Sequence, residues 1–413
     1  MMNKEETLWL DSFAYGGESF GRSPEGRATF VPFALPAEKV RIRLVEEKRG
    51  FARGELIEVI EAAPERIEPR CQHFGQCGGC HYQHISYEKQ LQAKTEILCD
   101  QLQRIGKLND PPVQPAVPSP DPWNYRNHVQ FHLTEKGELG FYGTQTITGQ
   151  RLIPVKECHL PAIELIDLWE HLEIESIPGL DRVGLRLGAD DQRMVVLESS
   201  DPEPIEMELD LPVSVVYRGP GGSLVLAGDD HIIMEVLERQ FRVSAGAFFQ
   251  VNTVMAAQMV RHLLDHLDFK SQDTLVDAYC GVGLFSAFLA SRVGRLVGIE
   301  ANPDACDDFV VNLDAFENVE LYEAPVEESL LAIEGNIDVL VADPPRAGLG
   351  RSTLEGFQIL KPRTVAYISC DPATLSRDAR YLIEMGYRLR QITPFDLFPQ
   401  TYHIESISFW DLE

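Results

Sequence analysis

Three cysteines lie within ten residues of one another, at Cys71, Cys77 and Cys80. The glycines between them permit the positive φ angles that a loop needs to direct several sulfurs toward one centre. A soft metal centre requires four ligands, and only three thiols lie in this segment. Candidates for the fourth ligand are Cys158, His73, His81 and His84. From the residues alone, the pattern predicts either a zinc site or an iron–sulfur cluster.

A turn that contains two glycines runs from Asp277 to Gly283, directly after a predicted strand and before a predicted helix. Glycines at such a turn let the backbone approach a ligand in front of the helix N-terminus. Glu300 ends the next predicted strand, where a carboxylate can accept hydrogen bonds from the two hydroxyls of a ribose. The order of strand, glycine turn, helix, strand and acid predicts an adenosyl ligand, and the alternative is a structural turn.

Two later strands also end at residues that could do chemistry. Asp343 follows one strand and precedes two prolines, which stiffen the loop that directs its carboxylate toward the ligand crevice. Cys370 follows the next strand and could act as a nucleophile once its thiol, with an ordinary pKa of about 8.5, is activated. Near the C-terminal end, strand alternation puts His403 and Glu405 on one face, so either is a candidate general base.

Several kinds of segment must position these side chains. From Thr7 to Val59, short β-rich runs alternate with glycine and proline turns, which predicts a small β-barrel. Residues 87–107 have helical apolar spacing, and six prolines between residues 111 and 122 predict a linker. Residues 125–238 are β-rich. Beyond Ala247, strands alternate with helices, which predicts a doubly wound parallel sheet and an α/β fold.

The charge of the chain argues against a nucleic-acid partner. The 413 residues include 37 Lys and Arg against 64 Asp and Glu, a formal net charge of −27, and such a chain repels phosphate. The acid is unevenly spread: residues 1–110 hold 15 basic and 17 acidic residues, whereas residues 161–210 hold 3 and 14. Eight cysteines are too few for a disulfide scaffold. With no secretory signal or apolar membrane span, we expect a cytoplasmic protein.

Taken together, these motifs resemble the uracil-C5 RNA methyltransferases, which form 5-methyluridine in transfer and ribosomal RNA. Residues 7–60 resemble the RNA-binding TRAM barrel. The resemblance implies an N-terminal OB-like TRAM barrel over residues 1–65 and a β-rich central iron–sulfur domain over residues 66–246. It also implies a C-terminal Rossmann-like class I methyltransferase domain over residues 247–413. Within the central domain, we expect the helical stretch 85–115 to pack on the catalytic domain.

The resemblance also implies cofactors, partners and site residues. It assigns the nucleophile to Cys370 and the general base to Glu405. The residues implied to bind S-adenosylmethionine are Gln250, Tyr279, Glu300 and Asp343. A [4Fe-4S] cluster is implied on Cys71, Cys77, Cys80 and Cys158. The implied partner is ribosomal or transfer RNA, bound by a monomer without an obligate protein partner.

The chemistry of uracil explains these residue types. Uracil C5 is a poor nucleophile, but addition of a thiolate at C6 makes an enolate whose C5 can attack the methyl group of a sulfonium. A base must then remove the C5 proton. The target base must also be flipped out of its stack, and Phe248 or Phe249 could stack against it.

The sequence leaves two other functions open. One is a base N-methyltransferase that uses the loop from Asp343 to Arg346. The other is a noncatalytic iron–sulfur protein that binds RNA or acts in redox chemistry. If RNA binds, we expect it to follow the cysteine segment and the basic residues of the barrel, which are Arg41, Arg43, Lys48 and Arg49.

Overall fold

In the computed structural model, the N-terminal strands close into a small barrel, as predicted. The structure describes residues 4–134, 136–144, 151–172, 179–201 and 212–413, so part of the acidic segment 161–210 lies outside the described residues. The barrel strands are β1 (Glu5–Ala14), β2 (Glu18–Arg22), β3 (Ala28–Pro32), β4 (Lys39–Glu47) and β5 (Phe51–Glu61). They are joined in the order β1-β2-β3-β5-β4. In β4, Val40, Ile42 and Leu44 are buried and alternate with polar residues, because successive side chains of a strand point to opposite faces.

The cysteine segment and helix α1 (Tyr87–Arg104) lead from the barrel into a second sheet. Its strands are β6 (His128–Leu133), β7 (Leu139–Tyr142), β8 (Leu152–Pro154), β9 (Leu180–Leu187), β10 (Arg193–Ser199), β11 (Ser214–Gly219) and β12 (Gly222–Ala227). They are joined in the order β12-β11-β10-β9-β6-β7-β8, and helix α2 (Ile163–Glu170) packs on this sheet. A hairpin of β13 (His231–Val236) and β14 (Arg239–Ser244) follows.

The C-terminal part alternates strands with helices around a seven-stranded sheet. Its strands are β15 (Thr274–Ala278), β16 (Arg295–Glu300), β17 (Val319–Glu323), β18 (Val339–Ala342), β19 (Thr364–Ser369), β20 (Tyr387–Phe395) and β21 (Glu405–Leu412). Its helices are α3 (Thr253–His266), α4 (Leu284–Leu289), α5 (Pro303–Asn312), α6 (Val326–Ser329), α7 (Arg351–Leu360) and α8 (Pro372–Glu384). No helix in the described ranges is long and apolar enough to cross a membrane.

The strand order of this sheet, β17-β16-β15-β18-β19-β21-β20, determines where a ligand can bind. Strands β15 to β19 are parallel, and β21 is antiparallel to both β19 and β20. The chain leaves β15 in one direction along the sheet and returns to its other side at β18. Ligands of such sheets bind outside the carboxyl ends of the strands at this switch point.

The proline-rich segment is not the free linker that the sequence predicts. Val113 and Val117 form parallel bridges to Ile392 and Phe395 of β20, so the segment extends the edge of the C-terminal sheet. Prolines are tolerated there because an edge strand has one side without ladder partners. Before this segment, α1 packs against α8, and its Leu98 and Leu102 are buried in the core of that sheet.

Candidate active site

The register of the C-terminal sheet brings Cys370 and Glu405 together. Ser369, the last residue of β19, is paired with Ser406 of the antiparallel strand β21. The residues one step beyond this pair are Cys370 and Glu405, at the carboxyl edge of the parallel strands. Asp343 follows β18, the neighbour of β19, and therefore lies at the same edge.

Burial and negative charge both disfavour the thiolate form of Cys370 in the free protein. Burial is the larger cause, and together with the carboxylates of Glu405 and Asp343 it raises the pKa of Cys370 to about 12. The Arg346 guanidinium acts in the opposite direction and lowers this pKa. The site therefore holds a neutral thiol at neutral pH, and Arg346 is a cation that favours its ionised form.

The candidate bases differ sharply in their electrostatics. Glu405 is buried, and burial together with the nearby Asp343 raises its pKa well above the ordinary value. Burial also raises the pKa of Asp343 to about 7, with a smaller effect from Asp277. His403 instead has its pKa lowered to about 3, mainly by burial and also by Arg346. An imidazole with so low a pKa is a weak proton acceptor, so these pKa shifts favour Glu405 over His403 as the candidate base.

The glycine turn after β15 faces open space at Gly281. Gly281 has φ +53° and no atom within 4 Å of the place a Cβ would occupy. Its N–H donates to the Glu300 carboxylate at 3.0 Å, and the N–H groups of Ala301 and Asn302 donate to the other oxygen at 2.8 and 2.7 Å. Glu300 is thus fixed beside the turn, with free acceptor capacity for ligand hydroxyls. Tyr279, at φ +65°, lies on the same turn, and its hydroxyl is 3.4 Å from Thr353.

The stretch before α3 lies between the second sheet and the C-terminal sheet. The backbone carbonyl of Gln250 accepts a hydrogen bond from the Asn127 side chain at 2.9 Å, and Gln250 is itself buried. Phe249 packs on the core, with its ring 5.9 Å from that of Phe241. Phe248 remains 67% exposed. The sequence offered Phe248 and Phe249 equally as rings that could stack on a base. In the structure only Phe248 is exposed, because Phe249 packs on the core.

Backbone contacts hold the cysteine segment against the second sheet. Cys77 forms an antiparallel bridge with Gly143, and the N–H of Gln72 donates to the Glu157 side chain at 2.8 Å. Two of the sulfurs accept backbone hydrogen bonds at 3.4 Å, Cys71 from His73 and Cys77 from Gly79.

Cys158 lies within electrostatic reach of the three clustered thiols. Burial raises the pKa of Cys80 to about 12 and that of Cys158 to about 11, and the two thiols are close enough for the charge on Cys158 to raise the pKa of Cys80. Cys77 and Cys71 similarly affect Cys158. In the described part of the chain, however, no three His, Cys, Asp or Glu side chains are arranged to hold a single metal ion.

The candidate histidine ligands have other neighbours. His73 Nε2 accepts the N–H of Lys156 at 3.1 Å, and His81 packs edge-on against Tyr402 with ring centres 4.6 Å apart. His84 is buried, with its ring 5.3 Å from that of Phe74.

Comparison with known proteins decides the family. Residues 205–411 match the family model described as tRNA (uracil-5-)-methyltransferase, and residues 7–57 match the TRAM domain. A protein of Aquifex aeolicus named as an RNA methyltransferase is 34% identical over 431 residues, which cover 100% of both chains. The chain belongs to this methyltransferase family. Another RNA methyltransferase by name, from Streptomyces avermitilis, is 34% identical over 430 residues, with 98% of each chain covered.

A solved structure has the same fold as this methyltransferase. It is the tRNA (uracil-54, C5)-methyltransferase of Pyrococcus abyssi in complex with S-adenosyl-L-homocysteine. The TM-score is 0.73 at 22% identity, and the match covers 98% of this chain and 99% of that one. The class I methyltransferase fold with an N-terminal TRAM barrel, expected from the sequence, is confirmed.

Two residues of this methyltransferase site were not assigned from the sequence. Arg346 belongs to the Asp-Pro-Pro-Arg loop, and its guanidinium lies 3.5 Å from His403 and lowers the pKa of both Cys370 and Glu405. Tyr15 belongs to the barrel, and its hydroxyl donates to Asp371 at 2.8 Å, one residue after the nucleophile candidate. Arg346 could have been found from its place beside a strand end. Nothing in the local sequence of Tyr15 indicates its partner.

Proposed function

We propose that this enzyme methylates C5 of a uridine in RNA, with S-adenosylmethionine as methyl donor and a covalent bond between Cys370 and uracil C6. The observation that carries the proposal is the meeting of a thiol and a buried carboxylate, Cys370 and Glu405, at the same sheet edge as Glu300 and a glycine turn with open space beside it. A base N-methyltransferase would need no thiol at this position.

Residues at this edge of the sheet suit an adenosyl ligand. Glu300 would accept the ribose hydroxyls, with Tyr279 beside them, and Gln250 and Asp343 would complete the cofactor site. S-adenosylmethionine, when bound, supplies an electrophilic methyl group. Gly281 supports this assignment because its turn has open space on the side that a Cβ would fill.

The reaction follows from the paired groups. Cys370, which is partly exposed, gives its proton to solvent. Its sulfur then bonds to C6, which moves the electrons of the C5=C6 bond toward C5. C5 then takes the methyl group. Glu405 accepts the proton on C5, the C5–H electrons restore the double bond, and the bond from sulfur to C6 breaks. Arg346 would stabilise the thiolate at the start and at the end of this sequence.

Two substitutions test the mechanism with total RNA from a strain that lacks the gene. We expect Cys370→Ala to abolish 5-methyluridine formation, because the variant lacks the thiol that adds to C6 and activates C5. Glu405→Gln should accumulate an RNA–protein adduct that survives a denaturing gel, because the amide cannot take the C5 proton. Methylation by Cys370→Ala at the parental rate would exclude the covalent mechanism. If Glu405→Gln turns over without accumulating adduct, another group is the base.

Phe248 is the aromatic side chain that we propose stacks against the flipped base. It is exposed beside the cofactor stretch, whereas Phe249 is committed to the core. RNA is read largely through unstacked bases on aromatic rings, so an exposed ring at this place serves the reaction. Under this proposal, residues 1–65 and 66–246 contribute RNA contacts, and residues 247–413 contribute catalysis.

We also propose that Cys71, Cys77, Cys80 and Cys158 hold a [4Fe-4S] cluster. Cys158 interacts electrostatically with each of the other three thiols, and two of the four accept backbone N–H groups, so they form a suitable donor set. In such a cluster each thiolate binds a different iron, so the sulfurs need not converge on one ion as they would around zinc. Protein purified without oxygen that contains no acid-labile sulfide would contradict this proposal.

A further inference from the structure

The loop that precedes Glu405, residues 396–404, is held by side chains from the N-terminal half of the chain. Gln90 of α1 donates from its Nε2 to the Gln400 side-chain oxygen at 2.9 Å. Its own oxygen accepts the backbone N–H of Gln400, also at 2.9 Å. Gln90 is 1% exposed and Gln400 is 3% exposed, so water cannot replace these bonds.

The cysteine segment binds the same loop residue from a second direction. The backbone N–H groups of His81 and Tyr82 both donate to the carbonyl of Gln400, at 2.9 and 3.0 Å. The backbone N–H, the backbone carbonyl and the side-chain oxygen of Gln400 therefore all have partners outside the C-terminal sheet. Gln400 has φ +69°, a left-handed conformation that a residue with a Cβ adopts only when its surroundings impose it.

A buried ion pair fixes the start of the loop. Lys94, one turn after Gln90 on α1, donates to Asp396 at 2.6 Å and to the carbonyl of Phe398 at 3.0 Å. Lys94 and Asp396 are both 1% exposed. The hydroxyl of Tyr125 adds a bond to the carbonyl of Pro399 at 3.1 Å. Four residues of the loop are thus held from α1, the cysteine segment and the segment before β6.

The nucleophile does not depend on these contacts. Cys370 follows β19 directly, and the next residue, Asp371, caps α8 by accepting the N–H groups of Ala373 and Thr374. Glu405, in contrast, is the first residue of β21 and comes five residues after Gln400. Displacement of the loop should therefore move the base relative to the thiol.

We propose that Gln90 is a positioning residue for Glu405, through which α1 and the cysteine segment determine whether the C5 proton can be removed. The inference rests on the proposed function. It predicts that loss of Gln90 slows proton removal and leaves the earlier formation of the bond between sulfur and C6 nearly intact. Because the rate of proton transfer falls steeply when the general base is misplaced, we expect the rate of proton removal to fall about tenfold to hundredfold.

The test compares Gln90→Ala with Gln92→Ala, which removes an exposed amide from the same helix. RNA containing 5-fluorouridine measures addition and methyl transfer alone. The last step removes H⁺ from C5, and fluorine at that position cannot leave as F⁺. We expect Gln90→Ala to form this adduct at the parental rate within about twofold, while release of 5-methyluridine from ordinary RNA falls about tenfold or more. Gln92→Ala should match the parent in both assays.

Hydrogen exchange supplies a measurement that needs no activity. Residues 396–404 should exchange faster in Gln90→Ala than in the parent or in Gln92→Ala. The inference would be overturned if Gln90→Ala slowed adduct formation and 5-methyluridine release equally. It would also be overturned if this variant changed neither of these rates nor the hydrogen exchange of the loop. If Gln90→Ala does not fold, Gln90→Met keeps the side-chain volume and loses the amide. A parent enzyme that forms neither adduct nor 5-methyluridine would instead refute the proposed function, and the exchange experiment would still test the loop contact.

Discussion

At the scale of single residues, burial raises the pKa of each reactive group at this edge of the sheet. Burial is the largest cause of the raised pKa of Cys370, Glu405 and Asp343 alike. Two carboxyl groups close together in a dry site cannot both ionise easily, and their charge also disfavours the thiolate. Arg346 is the cation that opposes these effects. The free enzyme should therefore have an unreactive thiol.

The reactivity of Cys370 toward iodoacetamide should follow its raised pKa. Only the thiolate reacts, so with a pKa of about 12 the alkylation rate should rise steadily with pH from about 7 to 9.5 and show no plateau. Mass spectrometry of the peptide that contains Cys370 measures the rate, and Cys370→Ala confirms the assignment. A plateau near pH 8 would mean that the free enzyme already lowers the thiol pKa.

At the scale of elements, the turn between β15 and α4 depends on two glycines for different reasons. Both have positive φ, +53° at Gly281 and +89° at Gly283. A Cβ at Gly281 would meet open space, whereas one at Gly283 would lie 2.3 Å from Leu313 and 2.9 Å from Phe309. Gly283 thus allows α4 to pack closely against α5, whereas Gly281 has no packing contact that a Cβ would disturb.

Alanine substitutions should separate these two roles. Each substitution carries a left-handed backbone cost of about 1–2 kcal/mol. Gly283→Ala should lower the free energy of unfolding by about 1–3 kcal/mol more than Gly281→Ala does, because its methyl group overpacks the core. Denaturant unfolding measures the difference, and Gly281→Ala is the matched control. Equal free energies of unfolding for the two variants would show that the contact with Leu313 relaxes without cost.

At the scale of the whole molecule, the excess of acidic residues behind the net charge of −27 is also felt on the barrel, where basic residues pair with acidic neighbours. Arg41 pairs with Glu58 at 2.7 Å, Arg43 with Glu55 at 3.2 Å and Lys48 with Glu46 at 2.8 Å. Three of the four basic barrel residues that we expect RNA to follow are therefore paired with neighbouring acids. Recognition should depend more on shape and stacking than on phosphate attraction.

The affinity for RNA should accordingly depend weakly on salt. We expect a slope of log K against log salt smaller than about 3 in magnitude, since each phosphate contact of a single strand contributes about 0.7. Glu58→Gln releases Arg41 from its partner. The slope should then steepen by up to about 0.7, the contribution of one additional phosphate contact. Filter binding over a salt series measures both values. A slope near 10 would contradict the argument.

The alternating architecture and the residues at the strand ends could be predicted from local sequence patterns. Strand and helix periods are local, and in a parallel sheet every carboxyl end falls at one edge, so Glu300, Asp343 and Cys370 could be assigned from their positions after strands. The distant segments that complete the site could be identified only in the folded chain. The bond from Tyr15 to Asp371 spans 356 residues and that from Gln90 to Gln400 spans 310. No local pattern encodes such partners, because they meet only after the barrel, α1 and the C-terminal sheet have packed together.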